Sequence, residues 1–246
     1  MTLSSASAAR TTPARTAQHR RYLMCRPEHF TVSYRINPWM EPAKPTDTAK
    51  ALAQWQALYD TYLALGHEVE LIDPVPGLPD MVYTANGGFI IDGRALGARF
   101  RVDERRGEER PFMDWFAGHG FDLVEPVSVQ EGEGDFLLVG DTILAGMGFR
   151  STGDSHAEIA RVFDREVVSL RLVDPRFYHL DTAISVLDLI PALGGQAIDE
   201  ALRRKAVDLT TLQRALELTP HRPRNRLRRE LIDDSRDEPW SEAERL

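Results

Sequence analysis

Phe136-Leu137-Leu138-Val139-Gly140-Asp141-Thr142-Ile143-Leu144-Ala145 is two short apolar runs around Gly140-Asp141, a dipeptide suited to a tight reversal. The segment therefore reads as a β-hairpin. A helical stretch from Asp154 to Phe163 follows, and Glu166-Val167-Val168-Ser169-Leu170 resumes as a strand. The order strand, strand, helix, strand is the unit from which the rest of the chain can be read.

Upstream the same order recurs twice. Tyr22-Leu23-Met24-Cys25 and Thr31-Val32-Ser33-Tyr34 read as short strands around a Pro27 turn. From Thr46 to Leu65, Ala49, Leu52, Ala53, Leu58, Tyr62 and Leu65 fall near helical spacing. That helix stops at Gly66, because glycine adopts the left-handed conformation at little cost. Val69-Glu70-Leu71-Ile72 is the next strand. In the second round, Met81–Tyr83 and Gly88–Ile91 are expected to pair, a helix runs from about Glu108 to Ala117, and Phe121–Val124 is a strand. Beyond the third round, His179 to Leu187 is expected to be extended. Units of this kind cannot bury their own faces and must stack on neighbours.

The pattern changes near residues 188–194. Gly195–Val207, Leu209–Leu218 and Arg224–Asp233 read as helices separated by Asp208 and Pro220, with no strand. The expected organisation is a disordered leader over 1–19, an α/β domain over 20–188 and a helical tail over 189–246. The leader carries Arg10 and Arg15 but no continuous apolar core of a secretory signal.

Composition narrows the function. The 246 residues are 42% hydrophobic and 28% charged, ordinary for a soluble globular protein. No apolar run approaches the ~20 residues of a membrane span. One cysteine excludes a disulfide framework and a Cys-rich zinc site, and fits a reducing, cytoplasmic setting. The net charge of −8 lies entirely in residues 1–188, with 19 Lys/Arg against 27 Asp/Glu, whereas residues 189–246 hold 11 of each. An acidic body does not suit nucleic acid and would suit a small cationic substrate. A solvated acidic surface is the commoner explanation for most of those charges.

Four patches carry candidate chemistry. His179 and Asp181, two apart in an expected strand, would share a side of the sheet. A carboxylate beside an imidazole can grip a guanidinium while the histidine handles a proton. Alone, the pair is equally a polar strand end. Asp80 and Asn86 bracket a tight segment before Gly87-Gly88, where backbone can approach a ligand closely. Glu131 and Glu133 in Glu131-Gly132-Glu133-Gly134-Asp135 could orient His179 and raise its pKa. Arg150, in Gly148-Phe149-Arg150, could hold a substrate carboxylate, or could be a surface arginine.

Together, in this order, these patches resemble the guanidino-group modifying superfamily. That superfamily includes dimethylarginine dimethylaminohydrolase, arginine deiminase and the amidinotransferases. Met24-Cys25-Arg26-Pro27 and Tyr34-Arg35-Ile36-Asn37-Pro38-Trp39-Met40 extend the likeness over roughly residues 20–188. The resemblance implies a five-bladed α/β propeller of ββαβ units, of which this chain would hold about three to four blades. It implies a small guanidino substrate, no cofactor and no metal. A cysteine thiolate attacks the guanidinium carbon, histidine protonates the leaving amine, and water hydrolyses the covalent intermediate. His179 would be the acid/base, Glu131 its orienting group, Asp80 and Asp181 substrate ligands and Arg150 the carboxylate holder. Asn86 falls where many relatives carry aspartate.

The implied nucleophile belongs to the last blade, yet residues 189–246 contain no cysteine, and Cys25 occupies a first-blade strand. The expectation is a hydrolase scaffold without its nucleophile, inactive or acting as a binder. Strand edges left open by missing blades offer a route to a homo-oligomer. In the tail, Asp199-Glu200-Ala201-Leu202-Arg203-Arg204 and Ser235-Arg236-Asp237-Glu238-Pro239-Trp240-Ser241-Glu242 resemble the helical linker before a restriction-endonuclease-like domain in actinobacterial toxin–antitoxin-type proteins. That suggests the alternative of a non-catalytic fusion whose basic face, Arg222, Arg226 and Arg229, contacts nucleic acid or a protein partner.

Overall fold

β6 (Phe136–Val139), β7 (Thr142–Met147), α3 (Asp154–Phe163) and β8 (Glu166–Arg171) form one ββαβ unit in a computed structural model that describes residues 19–186. The expected leader and helical tail, with Arg222, Arg226 and Arg229, lie outside the described residues. β7 runs between an antiparallel β6 and a parallel β8. The hairpin closes because Gly140 sits at φ +61°, a left-handed position that glycine tolerates. A parallel neighbour cannot be reached by a tight turn, so α3 makes the crossover.

The preceding unit repeats this plan with β3 (Gly88–Ile91), β4 (Arg94–Gly97), α2 (Glu109–Gly118) and β5 (Asp122–Val124). β4 is antiparallel to β3 and parallel to β5. The first sheet is two-stranded: β1 (Arg21–Cys25) pairs in parallel with β2 (Glu68–Ile72) across α1 (Thr48–Ala64). Asp47 caps α1 by accepting the Lys50 N–H at 2.9 Å. The chain is thus a mixed α/β fold.

Three expected strands are not strands. Met81–Tyr83 does not pair with Gly88–Ile91; residues 79–87 coil into two 3-10 turns, Pro79–Val82 and Thr84–Gly87. Gly88–Ile91 pairs instead with Arg94–Gly97 across Asp92-Gly93, both at positive φ. Pro79 favours a turn start over a ladder, and Pro79, Asp80 and Met81 are buried consecutively, not in the alternation of a strand. Thr31–Tyr34 belongs to an irregular strap over residues 31–47, with no strand beside it to complete a ladder. Finally, His179 precedes a single helical turn, α4 (Leu180–Ala183). The Thr182 hydroxyl donates to the His179 carbonyl at 2.6 Å and bends the chain there.

Apolar side chains fill the spaces between units, as stacked repeats require. Cys25 and Ile72 of the first sheet pack with Ala95, Phe112 and Phe116 of the second unit. Phe89 and Leu96 pack with Phe136, Ile143 and Ile159 of the third. Leu144 and Leu170 pack with Leu180 and Ile184, which anchors the segment around His179. Phe112, Phe136, Ile143 and Ile159 are fully buried, each contributing about 1.5–3 kcal/mol of transfer free energy. Among the described residues, no helix is long and apolar enough to cross a membrane.

Candidate active site

Strand direction gathers the four sequence patches. β6 begins at the end of its sheet where β7 and β8 finish. Glu131–Asp135 precedes β6, Arg150 follows β7, and His179 follows β8, so all three arrive at one edge. Asp80 and Asn86 come from the 3-10 turns that lead into β3. Asp80, Asn86, Arg150, His179 and Asp181 line one cavity of about 370 Å³. The i, i+2 strand argument for His179 and Asp181 does not hold, because α4 is helical. Both reach the cavity as the cap and first turn of that helix.

His179 sits between two buried carboxylates. Its Nε2 lies 3.3 Å from Glu131 Oε2 and its Nδ1 lies 3.3 Å from Asp135 Oδ2. Both are at ion-pair distance, although neither meets hydrogen-bond geometry. Burial disfavours the imidazolium, but Asp135 first and Glu131 second more than offset it, and His179 is raised to about 9. Glu131 responds in the opposite direction: burial is outweighed by His179 and Arg150, and its carboxyl is held at about 2. The two carboxylates thus favour the imidazolium form of His179, and His179 with Arg150 favours the ionised form of Glu131.

Asp135 stands in the patch read from sequence, but its contact with His179 does not follow from spacing. It accepts the Ser151 hydroxyl at 2.5 Å, the Ser151 N–H at 3.2 Å and the Leu180 N–H at 3.1 Å. These bonds fix it against the imidazole. The glycines around it are required by close approach. A Cβ on Gly134 would run into Asn86 Nδ2 and lie 3.1 Å from His179 Nδ1, and Gly132, at φ +55°, is packed against the Gly88 carbonyl.

Arg150 is buried, not a surface residue. Its Nη1 donates to Glu131 Oε2 at 2.9 Å, its Nη2 to the Ile36 carbonyl at 3.0 Å, and its guanidinium lies 5.0 Å from the Tyr178 ring centroid. Asn86 accepts from Arg105 Nη1 at 2.8 Å and donates weakly to the Glu131 carbonyl at 3.5 Å. Asp181 and Glu133 keep accessible surface, yet enclosure raises Asp181 to about 6 and Glu133 to about 7, the latter with help from the Asp181 charge.

Arg105 and Glu108 have no signal in the sequence, and Tyr34 and Asn37 stand there only in the stretch that carries the family likeness, not as site residues. Arg105 is 2% exposed and grips Glu108 through Nε–Oε1 at 3.0 Å and Nη2–Oε2 at 2.7 Å. In Asp103-Glu104-Arg105-Arg106-Gly107-Glu108 the charges look like a solvated run. The 3-10 turn Asp103–Glu108 eclipses residues i and i+3, so that Arg105 and Glu108 alone turn inward. Cys25, in contrast, is absent from the cavity lining; it is buried in the first apolar cluster, and burial pushes its thiol up to about 12.

No family model matches the chain. It is 56% identical over 190 residues to an N(G),N(G)-dimethylarginine dimethylaminohydrolase of Mycobacterium tuberculosis, an alignment covering 76% of this chain and 63% of the relative. It is 46% identical over 172 residues to the bifunctional arginine dihydrolase/ornithine cyclodeaminase AgrE of a Nostoc species, covering 68% of this chain and 24% of the relative. The chain thus spans less than two thirds of the length of these relatives. Among solved structures it superposes on the N-terminal domain of ArgZ, an arginine dihydrolase of cyanobacteria, captured as a cysteine-to-serine mutant bound to substrate. The TM-score is 0.69 at 38% identity, covering 80% of this chain and 71% of that one. By sequence and by fold, the chain belongs to the guanidino-group modifying superfamily of dimethylarginine dimethylaminohydrolases and arginine dihydrolases.

Proposed function

We propose that this chain binds the guanidinium of an arginine-like compound in the cavity, retaining the recognition and proton-handling half of the family chemistry. The observation that carries the reading is His179, buried between Glu131 and Asp135, on a cavity that also holds Asp80, Asn86 and Asp181. In this reading Asp80 and Asp181 contact the planar cation and Asn86 contributes an amide. Glu131 and Asp135 orient the imidazole, and Arg150 offers its remaining N–H donors to the substrate carboxylate. The three stacked units correspond to consecutive blades of a five-bladed α/β propeller within a domain spanning 20–188.

Hydrolysis also needs a thiolate at the guanidinium carbon. Among the described residues no thiol lines the cavity, and Cys25 is held protonated elsewhere. The described residues therefore supply guanidinium binding and proton handling but not the thiolate that hydrolysis would need. Calorimetry with L-arginine and dimethylarginine tests this: binding is expected, and is expected to be lost in Asp181→Ala. Citrulline released by the purified chain, and abolished by His179→Ala, refutes this reading.

A further inference from the structure

Asp80 is 3% exposed, and its two oxygens are treated differently. Oδ2 accepts the Tyr34 hydroxyl at 2.9 Å and lies 4.0 Å from Arg105 Nε. Oδ1 is buried and has no hydrogen-bond partner. Tyr34 does not line the cavity itself, but the strap that carries it contributes Val32, Ile36 and Met40 as an apolar wall. Two further bonds tie the strap to elements of the site: Arg150 Nη2 to the Ile36 carbonyl at 3.0 Å, and Trp39 Nε1 to the Arg176 carbonyl at 2.9 Å.

We propose that Tyr34 is a positioning residue for cation recognition: its hydroxyl occupies one oxygen of Asp80, pins the strap over the cavity and reserves the other oxygen for a guanidinium N–H. This inference rests on the guanidino-binding reading and adds a residue to it. A buried carboxylate oxygen without a donor is unfavourable, and a charged N–H that reaches it forms the stronger class of hydrogen bond. Strap and ligand then reinforce one another. A donor on Oδ1 keeps Asp80 ionised, an ionised Asp80 accepts the Tyr34 hydroxyl more strongly, and the pinned strap keeps water from competing.

The charges around Asp80 agree with this arrangement. Burial raises its carboxyl, while Arg105, then the Tyr34 hydrogen bond, then Arg150 oppose that rise; Glu131 adds to it. Glu108 beyond Arg105, Tyr83 on the same segment and Tyr178 before α4 also feel its charge. Tyr34 is the one member of this group on the strap.

Tyr34→Phe keeps the ring and removes only the donor. In ligand-free protein with ¹³C-labelled aspartate, the Asp80 carboxyl midpoint is expected to rise by about one pH unit. L-arginine affinity by calorimetry is expected to weaken about tenfold, and the low-pH limit of binding should move up with Asp80. A loss of packing alone would not move that limit. An Asp80 midpoint that stays in place, or an unchanged affinity, overturns the inference. Wild-type protein that binds neither L-arginine nor dimethylarginine overturns the guanidino reading itself, and the recognition role of Tyr34 with it.

Discussion

Glutamine in place of Glu131 preserves shape and removes a charge 3.3 Å from His179 Nε2 and 2.9 Å from Arg150 Nη1. His179 stands at about 9 against an ordinary 6.5, which at 1.36 kcal/mol per pH unit links about 3 kcal/mol of folding free energy to the imidazolium. Because the folded value is the higher one, that stability is complete below pH 6.5 and is lost as the pH rises through about 9. In Glu131→Gln only Asp135 remains beside the ring, at 3.3 Å, and the His179 midpoint is expected to fall by about one to two pH units. Arg150 meanwhile loses its carboxylate while 3% exposed. Leaving that charge unpaired costs about 3–5 kcal/mol, a large part of the ~5–15 kcal/mol that holds a domain folded. The ring protons of His179 followed by NMR report the midpoint, and urea unfolding at about pH 6 and pH 9.5 reports the linkage. Across that interval wild type should lose about 2 kcal/mol more than the variant, a difference from which the groups common to both cancel. An identical His179 midpoint in the two proteins would refute the claim that Glu131 holds the imidazolium.

Arg105→Ala strands Glu108, 0% exposed, without its partner; a loss of about 3–5 kcal/mol in urea unfolding is expected, and Arg105→Lys should recover little of it because lysine cannot make the paired fork. Gly134→Ala puts a methyl into Asn86 and His179, and should abolish arginine binding in calorimetry while costing about 1–3 kcal/mol; Gly118→Ala, with nothing within 4 Å, is the control and should stay within about 0.5 kcal/mol. Cys25, pushed up to about 12, should alkylate with iodoacetamide about a thousandfold more slowly than a free thiol at pH 8. Cys25→Ala should leave guanidine binding intact, and loss of binding would place sulfur in the site after all.

The ββαβ order was legible because hairpin and helix signals are local. Gly140-Asp141 closes β6 and β7 as its composition requires, and α3 spans Asp154–Phe163 as read. Local pattern misled where tertiary anchors outweigh it. Met81-Val82-Tyr83 has strand composition, but the consecutive burial of Pro79, Asp80 and Met81 goes with a turn. His179 and Asp181 lie two apart, a strand periodicity that α4 does not have; they meet in the cavity because Leu180 is buried and Asp135 accepts its N–H. Arg150 and Arg105 could not be told from surface arginines, since burial of a charge depends on partners far along the chain.

Sequence alone determined the repeating unit, the acidic body, the family resemblance and the single cysteine, since each depends on residue identity and near-neighbour spacing. Tertiary structure decided which carboxylates face the imidazole, that Arg150 is paired with Glu131, and that Cys25 is sealed in an apolar cluster away from the cavity. The physical reason is that charge and desolvation act through distances of 3–4 Å, and residues 131, 150 and 179 come within that range only after the β6–β7 hairpin and the parallel crossover to β8 bring the start of β6 and the ends of β7 and β8 to one edge.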